Sequence, residues 1–413
     1  MKRRTFLRQG AWMASGIMAV PYGIGLAGRS FASRNRGDTS RSEKRSLEVL
    51  LLEGPPKKRG QIHGEGLRAK IQKNISLWKE SVQKSTGMKP DAYIAQFMKE
   101  TDFLPAIKKW TPDLLEEVEG LAEGAGIDFD TMSTYQLGDE HYWYIRNKRL
   151  GVPVSPAAAC SALGVSKEGD RFPLLAQNMD IESYNDGTQT LLHIKYPGSS
   201  LESLVFTTAG YLALTGLNNR PLGICCNTLL QLNYSPDGLP VAYIVRAVLE
   251  KSNLKEAGEF LHRIKHASGQ NYTIGDGQGV AALEGSANKV SRFVPLQGST
   301  RVYHTNHPLA NDDQSVYQEI MKKSPPQKKY PGPSNSEVRF DFLAKKLADP
   351  SRTVTVEMIK SILGSDEVPI CFRNRPGADG MTFGCLIMEL SPHPVLHLSP
   401  GPPCDTEFQT FRF

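Results

Sequence analysis

The sequence predicts an α+β fold in which antiparallel sheets are covered by helices. Three observations lead there. Helical spacing of apolar residues dominates 60–150, short alternating strands with tight turns fill 155–235, and helices, a hairpin, helices and strands follow in that order. Runs of strands and runs of helices, rather than strict alternation of the two, mark an α+β arrangement.

Residues 49–52 form a short apolar strand. Gly60-Gln61-Ile62-His63-Gly64-Glu65-Gly66 reads as a turn into a helix over 67–83, where Leu67, Ile71, Ile75 and Trp78 keep helical spacing. One helix is expected over 92–110. Thr111-Pro112-Asp113 supplies a cap and a proline at the first helical position for another, which Gly124 and Gly126 close. Strands are expected at 158–165, 172–179, 190–195, 204–208, 213–217 and 222–228. Turns such as Glu168-Gly169-Asp170 and Asn218-Asn219-Arg220 separate them. Helices at 241–251 and 254–264 precede a hairpin, 272–275 and 280–285, around Asp276-Gly277-Gln278-Gly279. Residues 309–335, rich in Pro, Lys and Ser, read as a short helix and an exposed loop. Helices at 336–348 and 356–363 lead to strands at 384–390 and 394–398, and there is no internal repeat.

A chain of 413 residues is long enough for one large domain or two ordinary ones. The net charge of +6 is modest, and several of the basic residues fall within the first 46 positions. No basic patch with interleaved aromatics occurs, so no nucleic-acid partner is expected. No glycine-rich phosphate loop is present. Asp139-Glu140-His141 lacks the second His or Cys cluster that a zinc site requires, and the six cysteines include no CxxC pair. No metal or cofactor is expected. The run His141-Tyr142-Trp143-Tyr144 reads as helix core or the wall of a pocket.

The N-terminus reads as an address. Lys2-Arg3-Arg4-Thr5-Phe6-Leu7-Arg8 carries twin arginines followed by Phe-Leu, a mildly apolar Gly- and Ala-rich stretch runs from Gly10 to Gly28, and Ser30-Phe31-Ala32 offers small residues for cleavage. This resembles a bacterial twin-arginine export signal, residues 1–32, with a polar, disordered linker over 33–48. The expected location is periplasmic or extracellular, with no stable membrane span once the signal is removed. A transmembrane anchor is the alternative for the apolar stretch.

The most informative stretch is Ala157-Ala158-Ala159-Cys160-Ser161-Ala162-Leu163 with Gln177-Asn178-Met179-Asp180 after it. A cysteine opens a strand after a run of small residues, and the next strand ends on a carboxylate. Cleavage after Ala159 would make Cys160 a new N-terminus with its own α-amine as base. A free thiol titrates near ~8.5 and an α-amine near ~7.7–8.0, so the amine is poised to accept the thiol proton. A buried structural cysteine is the plain alternative.

Several motifs resemble one family. They are His63-Gly64-Glu65-Gly66-Leu67-Arg68, Ala159-Cys160, Ala176-Gln177-Asn178-Met179-Asp180, Gly216-Leu217-Asn218, His304-Thr305-Asn306-His307-Pro308 and Ser399-Pro400-Gly401-Pro402-Pro403-Cys404. Over 49–413 the chain resembles the acyl-CoA:6-aminopenicillanic-acid acyltransferases. These are N-terminal-nucleophile (Ntn) cysteine amidases, more distantly similar to bile-salt hydrolases and penicillin V acylase. The resemblance implies the four-layer αββα sandwich of antiparallel sheets. It also implies a precursor that cuts itself between Ala159 and Cys160. Residues 49–159 would then be the N-terminal helical segment and 160–413 the catalytic chain, an αβ heterodimer of its own fragments.

By the same resemblance Cys160 is the nucleophile and Asp180 holds its α-amine. Asn306 is an oxyanion-side amide, Asn227 a second polar group facing the nucleophile, and Arg373 a late arginine near the site, with Arg375 as the alternative register. Gln177 takes a supporting or substrate-binding place. Alone, each of these has a plain reading as a turn or strand residue. Two departures stand out: Ala159 precedes the nucleophile where glycine is usual, and Ser161 follows it where threonine is usual. The expected function is an exported, self-processing amidohydrolase or acyltransferase. It would act on a linear C–N amide through an acyl-Cys160 intermediate, with a small-molecule amide as partner or an acyl thioester as donor. A non-catalytic binding protein that keeps the fold is the alternative.

Overall fold

The computed structural model describes residues 43–148, 159–323 and 333–413. The twin-arginine stretch, most of the expected linker and the Pro- and Lys-rich part of 309–335 fall outside them. The described residues belong to one compact unit.

Strand β1 (Glu48–Leu52) leads into seven helices: α1 (Pro56–Gly66), α2 (Arg68–Thr86), α3 (Pro90–Glu100), α4 (Leu104–Trp110), α5 (Pro112–Ala125), α6 (Phe129–Tyr135) and α7 (Gly138–Lys148). Six strands follow: β2 (Ser161–Val165), β3 (Leu174–Glu182), β4 (Gln189–Lys195), β5 (Glu202–Thr208), β6 (Thr215–Asn218) and β7 (Gly223–Thr228). Helices α8 (Val241–Val248) and α9 (Leu254–Arg263) precede β8 (Gln270–Gly275), β9 (Val280–Gly285), β10 (Val290–Phe293) and β11 (Arg301–His304). The chain ends with α10 (Ser315–Lys323), α11 (Asn335–Leu347), α12 (Val356–Leu363), β12 (Gly380–Glu389), β13 (Val395–Ser399) and β14 (Gln409–Phe411).

The strands form two sheets. One has eight strands in the order β1-β4-β5-β6-β7-β8-β9-β10, the other six in the order β11-β2-β3-β12-β13-β14. Only β1 on β4 is a parallel pair. The sheets face each other across a core of Ala162, Leu175, Phe383 and Leu386 from one and Leu191, Phe206 and Cys225 from the other. Helices α1–α6, α8 and α9 pack on the outer face of the eight-stranded sheet. Helices α11 and α12 cover the other sheet through Phe342, Leu343, Ile359 and Ile362. The layers run helix, sheet, sheet, helix, as an αββα sandwich does.

The expected turn at 60–66 is helix α1. Its glycines are there for close approach: a Cβ on Gly60 would sit 1.9 Å from the Glu117 carbonyl oxygen, and one on Gly64 2.5 Å from the Ala125 amide nitrogen. Backbone packs on backbone between α1 and α5, which only glycine allows. The expected helix 92–110 is two helices. It breaks at Thr101-Asp102-Phe103, where the Asp102 amide donates to the Pro236 carbonyl at 2.7 Å. Residues 43–48, expected within the disordered linker, are ordered. Glu43 donates its amide to the Asp405 carbonyl at 2.7 Å, and Arg45 pairs with Asp186 at 2.7 Å. Cys371 and Cys404 form a disulfide, while Cys160, Cys225, Cys226 and Cys385 are free and buried. Among the described residues no helix is long and apolar enough to cross a membrane.

Candidate active site

Cys160 stands at the entry to β2. In β2 the side chains of Leu163 and Val165 face the helices and Ala162 faces the opposite sheet, so alternation turns Cys160 toward the interlayer. Register sets its neighbours: Ser161 pairs with Asn178 on β3, which brings Met179 and Asp180 beside the cysteine. The Asp180 amide donates to Cys160 Sγ at 3.4 Å, and Met179 Sδ lies 3.7 Å away. The thiol is 3 % exposed. Burial, then the Asp180 carboxylate, push its pKa up to about 12.

Asp180 is 1 % exposed, and among the described residues neither carboxylate oxygen meets a donor in good hydrogen-bond geometry. Burial raises its pKa to about 7, against the opposing influence of the Thr382 side chain and the Arg339 guanidinium. A carboxyl that titrates near pH 7 beside a thiol is a group able to exchange a proton there.

Arg339 on α11 is the site residue that sequence reasoning missed. It is 1 % exposed. Nη1 donates to the Cys160 carbonyl at 2.7 Å and to Ser161 Oγ at 2.8 Å, and Nη2 donates to Asn306 Oδ1 at 3.0 Å. Its Nε is held by Asn335 Oδ1 at 2.7 Å. The helix is fixed by a capping box between Ser334 and Glu337. A signal was available: Arg339, Phe342, Leu343 and Leu347 share one buried stripe of the helix, so an arginine occupies a core position.

The other expected residues divide. Asn306 Nδ2 donates to the Thr228 carbonyl at 3.1 Å, so with Arg339 it links β7 to the backbone of Cys160. Asn227, two residues beyond the interlayer Cys225, is fully buried. Its Oδ1 accepts from Asn271, and its Nδ2 has no acceptor among the described residues. Gln177 brackets the Cys226 backbone, donating to its carbonyl at 2.5 Å and accepting from its amide at 3.1 Å, which ties the two sheets together. Arg373 is not brought to Cys160. Its guanidinium bridges Asp366 at 2.7 Å and Asp405 at 2.8 Å beside the disulfide. Arg375 is exposed in the next turn. The motif histidines are occupied elsewhere, His304 by Glu284 at 2.8 Å and His307 by Ser336 at 2.8 Å.

A narrow cavity of about 40 Å³ opens beside the thiol. Met179, Ile181, Leu214, Val241 and Val245 make it largely apolar, and Asp139 and Asp180 are the acidic residues that line it. Asp139 comes from α7, in the N-terminal helical segment. Its Oδ2 accepts from Thr228 Oγ1 at 2.7 Å and from Gln270 Nε2 at 2.6 Å. Behind it, burial and the Asp139 charge raise Glu140 to about 7. Glu182, which accepts from Tyr142 of α7, is raised to about 7 chiefly by burial. Among the described residues no group of His, Cys, Asp and Glu is arranged to hold a metal ion.

A buried thiol, a carboxyl raised toward neutral pH beside it and amide groups nearby suit acyl transfer through sulfur. Solved structures similar to the chain include the following two. One is a mutant of conjugated bile acid hydrolase from Clostridium perfringens, at 16% identity, covering 61% of this chain and 97% of that one with a TM-score of 0.41. The other is penicillin V acylase from Agrobacterium tumefaciens, at 11% identity, covering 62% and 85% with a TM-score of 0.35. No curated protein matches. The profile of the acyl-coenzyme A:6-aminopenicillanic acid acyl-transferase family matches residues 165–378. The chain belongs to that family.

Proposed function

We propose that the protein is an exported, self-processing amidohydrolase or acyltransferase that works through an acyl-Cys160 intermediate. The observation that carries this reading is the seat of the Cys160 thiol: it lies at a cavity, on the backbone amide of Asp180, a residue that lines the same cavity and whose carboxyl is raised. In the uncut chain Cys160 has no α-amine, and its thiol is pushed up to about 12. The intact protein is therefore a poor nucleophile toward outside substrates. Asp180 is the group beside it able to take the thiol proton during processing.

Cys160 Sγ then attacks the Ala159 carbonyl carbon. The C–N bond to Cys160 breaks, the nitrogen leaves as the free α-amine, and water releases the Ala159 thioester. In the mature protein the α-amine takes the thiol proton, the thiolate attacks a substrate amide, and the proton passes to the leaving amine. Water as acceptor completes hydrolysis, and another amine completes transfer. The N-terminal twin-arginine pattern supports a location outside the cytoplasm. Coenzyme A is scarce there, which favours hydrolysis.

Acyl-enzyme trapping tests the mechanism. Rapid acid quench of protein mixed with a panel of para-nitroanilides should leave one acyl group on the Cys160 peptide by mass spectrometry. Amide turnover with no adduct at Cys160 would contradict it.

A further inference from the structure

The cavity beside Cys160 holds one charged group for which neither processing nor acyl transfer has a use. Asp139 lines it from α7. Two neutral donors, Thr228 and Gln270, both bind Oδ2 and fix the carboxylate between β7 and β8. Oδ1 accepts no hydrogen bond among the described residues, and no lysine, arginine or histidine of the described residues pairs with the carboxylate. Burial raises its pKa, with Thr228 and Gln270 opposing. A carboxylate in an apolar pocket is costly unless a cation or further donors compensate it. Besides Cys160, Asp180, Tyr211, Cys226 and Thr228, the lining is apolar, with Met179, Ile181, Leu214, Val241 and Val245.

We propose that Asp139 is the specificity-determining residue of this cavity, selecting acyl groups that are apolar along their length and end in a cationic, hydrogen-bond-donating group such as an ammonium. This rests on the acyl-Cys160 reading. The aliphatic part lies against the apolar wall, and the ammonium donates to the free Oδ1. One orienting carboxylate in a mainly apolar pocket is the usual economy of a small-molecule site. A hydrogen bond between charged partners at such a site corresponds to about ten- to a hundredfold in selectivity.

The test compares two methanethiosulfonates of similar size, aminoethyl (cationic) and propyl (neutral). Each forms a mixed disulfide with a thiol and releases methanesulfinate. Labelling of the Cys160 peptide in purified protein is followed by mass spectrometry. The cationic reagent should react at least about tenfold faster. Asp139→Asn keeps the two tethering acceptor bonds and removes the charge, so the ratio should fall toward one. Asp139→Glu should recover part of it. A ratio near one in the wild type, an unchanged ratio in Asp139→Asn, or no labelling at Cys160 overturns the proposal. Where Asp139→Asn fails to fold, the wild-type ratio and Asp139→Glu decide.

Caproyl and ε-aminocaproyl para-nitroanilides separate the two ideas. Hydrolysis of both at equal rates sinks the cation site and leaves the amidase. An Asp139-dependent labelling preference with no amide hydrolysis removes the amidase and keeps the cation site.

Discussion

Arg339 Nη1 donates to the carbonyl oxygen of Cys160 at 2.7 Å, while Nη2 of the same guanidinium holds the Asn306 amide oxygen at 3.0 Å. A helix of the outer layer thereby reaches the start of β2 and fixes the backbone beside the nucleophile. Arg339→Ala leaves a buried carbonyl, a hydroxyl and an amide oxygen without this donor. Each unmet group costs about 1–3 kcal/mol. The variant should melt lower and lose about a hundredfold or more in amide turnover, by analogy with the loss of a preorganised donor. Arg339→Lys, with one point charge for three acceptors, should recover only part. Activity within about twofold of wild type in Arg339→Ala would remove it from the site.

Asp180→Asn keeps the strand and the amide that reaches Cys160 Sγ, but removes the titrating carboxyl. The purified variant should stay uncut on denaturing electrophoresis while remaining folded by circular dichroism. A variant cut at the wild-type rate would assign processing to another base.

Gly60→Ala should destabilise without touching the chemistry, because its Cβ meets the Glu117 carbonyl oxygen at 1.9 Å. Separating α1 from α5 also disturbs buried Glu117, which Arg59 and Arg246 hold at 3.0 and 2.7 Å. A loss of about 1–3 kcal/mol or more is expected in denaturant melts. Gly87, with φ of 73° and nothing within 4 Å of its added Cβ, is the contrasting site. Strain there is confined to the backbone turn, so the loss should be smaller.

Glu140 gives a pH signature. Its pKa is pushed from 4.5 to about 7, so between these values the folded state binds the proton and the unfolded state does not. Stability from this group is therefore present below the unfolded value and lost as pH rises through about 7. Glu140→Gln keeps an acceptor for the Val241 amide and Ser268 while removing the charge. It should stabilise the protein at pH 8 by on the order of 3 kcal/mol, a gain that shrinks toward zero near pH 4.5. Thermal melts of both proteins across that range check it, and a gain independent of pH would refute the assignment.

Much of the sandwich was legible because strand alternation and helix caps are local. The strands from 174 to 285 fall within a few residues of their expected places. The helix after Thr111 closes on Gly126 at φ 67°, although the Thr111 hydroxyl donates to the Ile107 carbonyl and caps no amide of that helix. What was hidden depends on partners far away in sequence. The glycines of 60–66 carry a turn signature, yet they serve contact with α5. Strands β10, β11 and β14 are three or four residues long and exist through pairing, not periodicity. At the site, Cys160 and Asp180 were legible since two adjacent strands in register bring them together. Arg339 was not, since it arrives on a helix 179 residues further along the chain, and Asp139 was not, since nothing in the local sequence turns that residue of α7 toward the cavity. Arg373 was misplaced because an arginine beside a short motif carries no record of Asp366 and Asp405, which bind it.

The central claim is that Cys160 becomes an N-terminal nucleophile by self-cleavage. Intact mass with N-terminal sequencing of the purified protein tests it most directly. The account predicts two fragments, the larger beginning at Cys160, and a single uncut chain for Cys160→Ala. A wild-type chain that stays continuous across Ala159–Cys160 after prolonged incubation, yet hydrolyses amides, would contradict it.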